Sequence, residues 1–139
     1  MSFRHRIRIE FNHCDPAGMV FYPRYFEMTN SACENFFDQV LGYPYSRIAV
    51  DQGNGVPTVH IEADFMRPSR LGDLVDFDLE VQRIGGSSVT FRITGYCGGE
   101  MRMRADITQV WMTTAGRAGR WPDDLRTGLE RFQTQGAEA

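Results

Sequence analysis

Polar and apolar residues alternate near the N-terminus and again through much of the second half of the chain. Arginine or glutamate stands at positions 4, 6, 8 and 10, and the intervening residues are His5, Ile7, Ile9 and Phe11. This period of two is typical of a β-strand with one buried face. The sequence therefore predicts a strand over residues 4–11.

The next segment changes to a spacing of three and four residues, which predicts one long helix. Its apolar and small positions are Tyr25, Phe26, Met28, Thr29, Ala32, Cys33, Phe36, Phe37, Val40 and Leu41. They form a broad stripe along one helical face. Pro23 suits the first turn, where an amide hydrogen has no partner within the helix. Gly42 and Pro44 end the helix, and residues 46–56 are predicted to be a connecting loop.

Strand patterns fill most of the remaining sequence. They cover Thr58–Met66, Leu74–Ile84, Ser88–Tyr96 and Met101–Thr113. Glycine pairs at 85–86 and 98–99 provide short turns, so we expect these four strands to form a meander of antiparallel hairpins. A short helix is predicted from Trp121 to about Phe132.

This order of elements predicts an α+β fold in which an antiparallel sheet of about five strands wraps around one long central helix. We expect a single domain over residues 1–133 and a frayed tail at residues 134–139. One helix covers only one face of such a sheet, so the remaining edge or surface is expected to meet another subunit. We predict a homo-oligomer, a dimer at least and a tetramer in the complete assembly.

Composition narrows the functional classes. The chain has 139 residues, and all 15 of its basic residues are arginine, against 18 acidic residues. The resulting net charge of −3 does not favour nucleic-acid binding, and the lack of lysine excludes Schiff-base and P-loop lysine chemistry. Three widely spaced cysteines predict neither a disulfide framework nor a zinc site, so we expect a reducing, cytoplasmic setting. We expect neither a signal peptide nor a membrane span.

One carboxylate lies between the first strand and the long helix, in the segment HCDPAGMVFYP. Pro16 restricts Asp15 to an extended conformation, and Gly18 allows a tight turn. Asp15 is then predicted to lie at the start of the helix, where the amides of residues 20–25 lack partners. Such amides stabilise a developing oxyanion, and a nearby carboxylate can act as nucleophile or general base. The alternative is that Asp15 only caps the helix or forms a turn.

The string CDPAGMVFYPRY, residues 14–25, resembles the signature of the 4-hydroxybenzoyl-CoA thioesterase family of hotdog-fold proteins. ADFMRPSRLGD at residues 63–73 and VQRIGGSSVTF at residues 81–91 are similar to the strands and turns that follow in that family. The resemblance covers most of residues 6–113. It implies the hotdog fold, a sheet wrapped around a central helix and paired across a dimer, and the hydrolysis of an acyl-CoA thioester.

By this resemblance Asp15 takes the place of the catalytic carboxylate, as nucleophile or as general base. The backbone amide of Tyr22 would hold the thioester carbonyl. We also expect Gly18, Tyr25 and His60 to contact the substrate. The alternative for His60, which alternates with apolar neighbours, is a structural role in its strand.

Two departures within the signature bear on the acyl group. Pro23 stands where relatives that act on short aliphatic acyl-CoAs tend to carry a histidine, and Pro16-Ala17 stands where they tend to carry Ala-Gly. This favours the aromatic branch. Asn30 falls where that branch carries an aspartate that binds a para-hydroxyl, and it offers a neutral hydrogen bond to a ring hydroxyl instead.

The resemblance also implies contacts to the CoA phosphates. Arg83 can pair with a phosphate, and the backbone of the following turn, with Ser87 and Ser88, can approach it closely. Arg67 and Arg70 would add contacts from one subunit to the CoA bound against the other. The alternatives are ordinary turn residues and a solvated loop.

The sequence thus predicts a thioester hydrolase acting on hydroxybenzoyl-CoA or benzoyl-CoA, as in the degradation of aromatic compounds, with no metal or cofactor. The alternatives are a thioesterase for short aliphatic acyl-CoA or acyl carrier protein, and a non-catalytic hotdog protein that binds acyl-CoA. Glu34 and Asp38, one helical turn apart, are a second candidate carboxylate pair. They lie off the apolar stripe, which favours a solvated face.

Overall fold

The computed structural model describes residues 2–138, with side chains as far as residue 133. Its strands and α-helices, in chain order, are β1 (Phe3–Arg8), α1 (Pro23–Gln39), β2 (Thr58–Phe65), β3 (Leu74–Ile84), β4 (Ser88–Cys97), β5 (Glu100–Val110) and α2 (Asp123–Glu138). Strand β1 ends earlier than predicted because a 3-10 turn at Phe11–His13 follows it. A short π-helix at Ser46–Asp51 lies in the predicted loop and buries Ile48.

The strands form one antiparallel sheet in the spatial order β1-β3-β4-β5-β2. Strands β3, β4 and β5 are the predicted consecutive hairpins. The predicted meander is wrong for β2, which pairs with β5 at the far edge, with Ala63 opposite Ala105. Eight residues separate β2 from β3, so no tight turn forces these two strands together.

Helix α1 lies on one face of the sheet and closes the core. Its buried residues are Tyr25, Met28, Thr29, Ala32, Cys33, Phe36 and Phe37. Phe36 packs edge-on against Phe91 of β4, with ring centroids 5.4 Å apart. Alternate residues of β3 are fully buried beneath the helix, from Val75 to Leu79. This confirms the predicted α+β arrangement of a sheet around one long apolar helix.

Helix α2 completes the core beside β3. Its inward residues Leu125, Leu129 and Phe132 are buried, together with Trp121 just before the helix. The backbone remains helical to Glu138, past the predicted end near residue 132, because no proline interrupts the hydrogen-bonding. The frayed tail predicted for residues 134–139 is therefore helical through residue 138, and residue 139 lies outside the described residues.

Strand β2 forms an open edge of the sheet. Seven of its eight residues are exposed, including Val59 and Ile61. The side of an edge strand that faces away from the sheet carries backbone groups without partners. Among the described residues, no helix combines the length and apolar character needed to cross a membrane.

Candidate active site

The segment between β1 and α1 folds into a tight turn, which we call the Asp15 loop (residues 14–20). The Asp15 amide donates to the Met19 carbonyl at 2.8 Å, and the Gly18 amide donates to the Asp15 carbonyl at 2.9 Å. Gly18 has a φ of +78°, a left-handed conformation that glycine adopts without steric cost. This confirms the predicted turn at Gly18.

The half-buried carboxylate of Asp15 belongs to the loop and does not cap α1. Its Oδ1 accepts a hydrogen bond from the Ala17 amide at 2.9 Å, whereas the N-cap residue of α1 is Tyr22, which makes no side-chain capping bond. The prediction that Asp15 caps the helix is therefore wrong. The prediction that it forms a turn explains the hydrogen bond to Oδ1 but leaves Oδ2 without a role. Within the part of the chain that the structure describes, Oδ2 has no hydrogen-bond partner.

The amides at the start of α1 are mostly occupied, contrary to the prediction that residues 20–25 present a row of unpartnered groups. The Val20 amide donates to the Ser69 carbonyl, and the Phe21 amide donates to the His13 carbonyl. The Arg24 amide donates to the Phe21 carbonyl, and the Tyr25 amide donates to the Tyr22 carbonyl. Pro23 has no amide hydrogen. Tyr22 is the one remaining residue of the six, and its amide has no acceptor among the described residues.

Two cavities open beside these groups. The first, of about 420 Å³, is lined by Phe11, Cys14, Asp15, Pro16, Gly18 and Leu71. The second, of about 380 Å³, is lined by Val20, Tyr22, Tyr25, Phe65, Met66, Arg67 and Pro68. Asp15 and Tyr22, which the sequence predicts to act on one thioester, thus line two different cavities, one at the Asp15 loop and one at the start of α1.

Phe65, at the end of β2, forms an aromatic wall with the start of α1. Its ring centroid lies 5.6 Å from that of Tyr25, 6.0 Å from that of Tyr22 and 6.2 Å from that of Phe26. The Phe65 side chain nevertheless remains 45% exposed. Sequence reasoning missed this residue, because only the pairing of β2 with β5 brings the end of β2 to the helix start.

A polar network lies behind the aromatic wall, in the connection between β2 and β3, which we call the anchor loop (residues 66–73). The buried Tyr25 hydroxyl donates to the Ser69 hydroxyl at 2.9 Å, and Arg102 Nη1 lies 3.2 Å from the same oxygen. Arg102 also donates to Asp73 Oδ2 at 2.9 Å. Burial raises the pKa of the Tyr25 hydroxyl, which therefore stays protonated and available as a donor.

Sequence reasoning also missed Ser69, Asp73 and Arg102. Ser69 and Asp73 stand in the ADFMRPSRLGD string, so the signal was present but pointed only to a loop. Two donors, the Arg70 amide and then the Arg102 guanidinium, hold the pKa of the Asp73 carboxyl below its ordinary value. This carboxylate is therefore ionised throughout the neutral range.

The other predicted substrate contacts are exposed. Asn30 lies on the exposed side of α1. His60 lies on β2 with its side chain 61% exposed, and its Nε2 is 3.2 Å from the Glu62 carboxylate. Arg67 borders the cavity of Tyr22 and approaches Glu100 at 3.7 Å. Neither the Asn30 nor the His60 side chain lines either of these two cavities.

The predicted CoA-binding turn, residues 83–88, lies at the opposite end of the sheet from the Asp15 loop. The Asp15 loop contacts residues just before β3, since the Leu71 amide donates to the Gly18 carbonyl, whereas the turn follows the end of β3. The separation is roughly 35 Å, the length of this 11-residue strand. Arg83 is exposed, and the carbonyl of Ser88 accepts a hydrogen bond from the Trp121 indole at 3.0 Å.

Comparison with known proteins adds a decisive observation. The sequence profile of the thioesterase superfamily matches residues 17–103, more than half of the chain. The chain belongs to the thioesterase superfamily. This thioesterase is accordingly an enzyme, a thioester hydrolase, as the sequence predicts.

Characterised relatives support the assignment. The thioesterase is 30% identical over 115 residues to 4-hydroxybenzoyl-CoA thioesterase from Pseudomonas sp. strain CBS-3. The alignment covers 78% of this chain and 82% of the relative. It is 27% identical over 109 residues to 1,4-dihydroxy-2-naphthoyl-CoA hydrolase from Prochlorococcus marinus strain NATL2A, covering 73% and 70% of the two chains.

The solved structure of the Pseudomonas enzyme superposes on the thioesterase with a TM-score of 0.83. The match covers 91% of this chain and 98% of the other, at 30% identity. The predicted hotdog fold is thereby confirmed.

Proposed function

We propose that this thioesterase hydrolyses an aromatic acyl-CoA, hydroxybenzoyl-CoA or benzoyl-CoA, to the free carboxylic acid and CoA. The observation that carries the proposal is that the Tyr22 amide has no acceptor among the described residues, while Tyr22 lines a cavity together with Tyr25 and Phe65. Aromatic rings pack favourably against one another in edge-on and offset arrangements. The relatives named above act on 4-hydroxybenzoyl-CoA and 1,4-dihydroxy-2-naphthoyl-CoA, which also carry aromatic acyl groups.

The Tyr22 amide is suited to hold the thioester carbonyl. It stands at the N-terminus of the 17-residue helix α1, where the helix dipole favours negative charge. As the carbonyl carbon is attacked, charge accumulates on its oxygen, and a preorganised amide then stabilises the transition state by about 3 kcal/mol. The neighbouring amides cannot share this role, because they already donate to protein carbonyls.

Asp15 supplies the attack in one of two ways. As nucleophile, its carboxylate adds to the acyl carbon, the C–S bond breaks, CoA leaves as a thiolate that takes up a proton, and water then hydrolyses the mixed anhydride. As general base, Asp15 removes a proton from water while the water oxygen adds to the same carbon. The tetrahedral intermediate then collapses with cleavage of the C–S bond, and the CoA thiolate takes up the proton that Asp15 holds. Both routes consume one water and need no metal or cofactor. Oδ2 of Asp15, which accepts no hydrogen bond within the described residues, supports either route.

Asn30 would read the ring substituent. Its exposed side chain lies on α1 five residues beyond Tyr25. In a single chain this position faces outward, so a second copy is needed to enclose the ring. An amide can donate to or accept from a ring hydroxyl without a charge, which suits a neutral phenol.

The open edge of the sheet supports a dimer. Two copies of β2 that pair antiparallel bring the start of one strand beside the end of the other. The start of β2 lies at the same end of the sheet as the turn at residues 83–88, and its end lies beside Tyr22. Such a dimer would bring residues 83–88 of one copy, the predicted CoA-binding turn, near the Asp15 loop of the other. We propose this dimer as the unit of a tetramer.

We also propose that the protein is cytoplasmic, because its three free cysteines suit a reducing compartment.

The proposal is tested with purified full-length protein and a thiol-reactive dye that reports released CoA. The substrates are benzoyl-CoA, 4-hydroxybenzoyl-CoA, acetyl-CoA and hexanoyl-CoA. We expect kcat/KM for the aromatic thioesters to exceed that for the aliphatic ones by about 100-fold, the range that one well-fitted pocket provides. Equal or better turnover of hexanoyl-CoA would overturn the aromatic assignment, and tight binding without turnover would overturn catalysis.

A further inference from the structure

Arg102 of β5 is a largely buried cation, and three acceptors lie around its Nη1. Its side chain is only 13% exposed, and its Nη1 lies 2.9 Å from Asp73 Oδ2, 3.1 Å from the Pro68 carbonyl and 3.2 Å from the Ser69 hydroxyl. Its Nε makes an ion-pair contact of 2.8 Å with Glu100, outside hydrogen-bond geometry. Burying a charge is costly unless it is paired, and the carboxylates of Asp73 and Glu100 provide this pairing.

All three acceptors of Nη1 belong to the anchor loop, residues 66–73. Two further bonds join this loop to the same arginine, since the amides of Met66 and Arg67 donate to the Arg102 carbonyl at 2.9 and 3.2 Å. Both the side chain and the backbone of Arg102 thus hold the loop. Ser69, at the centre of the contact, is fully buried.

The opposite side of the anchor loop holds the Asp15 loop. The Val20 amide donates to the Ser69 carbonyl at 2.9 Å, and the Leu71 amide donates to the Gly18 carbonyl at 3.2 Å. Met19 and Arg70 form an antiparallel bridge between these two bonds. The anchor loop is therefore the surface against which residues 18–20 are fixed.

The Asp15 loop in turn fixes the Asp15 carboxylate. The Met19 carbonyl accepts from the Asp15 amide, and the Asp15 carbonyl accepts from the Gly18 amide. Hydrogen bonds joined through the covalent chain of Ser69 and residues 18–20 thus connect the Arg102 guanidinium to Asp15. A misplacement of about 1 Å at a reacting group lowers a rate about 100-fold, so this connection bears directly on turnover.

We propose that Arg102 is a positioning residue for the reaction: it fixes the anchor loop so that Asp15 and the Tyr22 amide keep the relative position that the reaction needs. The inference rests on the proposed function, in which Asp15 drives the attack. Arg102 lines neither of the two cavities at the Asp15 loop and Tyr22. A merely structural role would lower stability without changing the turnover of the folded enzyme.

The test compares Arg102→Met, Arg102→Lys and Arg92→Met with the parent enzyme. Arg92 is a matched control, because it pairs with Asp106 through two hydrogen bonds of 2.9 and 3.1 Å on the neighbouring strand, far from the anchor loop. Steady-state kcat and KM are measured with the best aromatic acyl-CoA of the panel, at least 15 °C below each variant's Tm. Circular dichroism verifies that each variant is folded.

We expect Arg102→Met to lower kcat about 100-fold while KM stays within about threefold. Arg102→Lys should recover part of kcat, because lysine keeps the charge but lacks the fork of donors. Arg92→Met should retain parental kcat. A folded Arg102→Met with kcat within twofold of the parent overturns the inference and leaves the proposed function intact, whereas a parent inactive on every thioester overturns both.

A second variant carries the test if Arg102→Met does not fold. Ser69→Ala removes the hydroxyl that Arg102 and Tyr25 share but keeps the Ser69 carbonyl that accepts the Val20 amide. We expect its kcat to fall at least fivefold with KM unchanged. Parental kcat in both Ser69→Ala and Arg102→Lys contradicts the inference.

Discussion

The ring of Phe132 in α2 lies 4.9 Å from the ring of Phe36 in α1, packed edge-on. The match to the thioesterase superfamily profile ends at residue 103. The contact between Phe132 and Phe36 nevertheless makes the C-terminal helix α2 part of the core. Both side chains are buried. The stability of the sheet and of α1 therefore depends on a segment beyond the matched region.

Replacing Phe132 by alanine should lower the free energy of unfolding by about 3–5 kcal/mol, because it leaves a cavity beside Phe36. Urea denaturation followed by circular dichroism measures the change. The adjacent exposed residue provides the control, since Arg131→Ala should change stability by less than about 0.5 kcal/mol. A loss below about 1 kcal/mol in Phe132→Ala contradicts the packing role of α2.

Replacing Asp15 by asparagine should lower kcat about 10²- to 10⁴-fold, the contribution of a positioned carboxylate. The asparagine amide oxygen can still accept the Ala17 amide, so the loop geometry is preserved. Glu34→Gln and Asp38→Asn are the controls, because these carboxylates lie on the exposed side of α1. Turnover of Asp15→Asn equal to that of the parent rules out the assigned role, and a loss in either control identifies a different site.

The aromatic wall leads to a prediction about substrate preference. Phe65→Leu removes the ring that contacts Tyr22, Tyr25 and Phe26. We expect kcat/KM for 4-hydroxybenzoyl-CoA to fall about 10-fold more than that for hexanoyl-CoA. Phe3→Leu, at the opposite edge of the sheet, should leave the ratio unchanged. An unchanged ratio in Phe65→Leu means that the acyl group binds elsewhere.

The lowered pKa of Asp73 predicts a pH-dependent contribution to stability. The Arg70 amide and then Arg102 lower the folded-state pKa, so Asp73 stabilises the fold at pH values above its unfolded pKa of about 4. This contribution is lost as the pH falls through the folded-state pKa. The difference in free energy of unfolding between the parent and Asp73→Asn should thus be constant from about pH 6 to 8 and shrink in acid.

Chemical denaturation between pH 3 and pH 8 measures this difference. Asp51→Asn is the control, since Asp51 is exposed on the π-helix and forms no ion pair within the described residues. A parent–variant difference that grows in acid reverses the sign and refutes the role of Asp73 in holding the anchor loop.

The dimer can be tested on the open edge. Ile61→Glu places a charge at the centre of β2, where two antiparallel strands would put like charges close together. Analytical ultracentrifugation should show the parent at the mass of a dimer or tetramer and Ile61→Glu shifted toward one chain, with reduced turnover. Val50→Glu also charges an exposed apolar residue, but on the π-helix, and should assemble normally. A monomeric, fully active parent would falsify the shared site.

Local patterns predicted the elements well but not their long-range partners. The bounds of β3 agree with the alternation of Val75, Phe77 and Leu79 against acidic residues. This alternation is a local property of the strand, because successive side chains point to opposite faces. The place of β2 beside β5 was not predictable in this way, since an alternating strand fits several neighbours. Only the length of the connection from β2 to β3 hinted that the two strands do not pair.

In the candidate site, too, local features could be predicted and long-range contacts could not. The turn at Gly18 follows from local chemistry, whereas the amides of Val20 and Phe21 are occupied by carbonyls of Ser69 and His13. Arg102 alternates in a strand like any solvent-facing residue. Its burial arises when the anchor loop folds over it, and a pattern of neighbouring residues cannot reveal that event.

The open edge of β2 has a practical consequence for anyone who handles this enzyme. If the complete site forms only where two such edges meet, activity per milligram will depend on how far the sample is diluted. An unpaired strand edge can pair with extended segments of other chains, and this edge also exposes Val59 and Ile61. Prolonged storage of dilute samples would therefore favour aggregation.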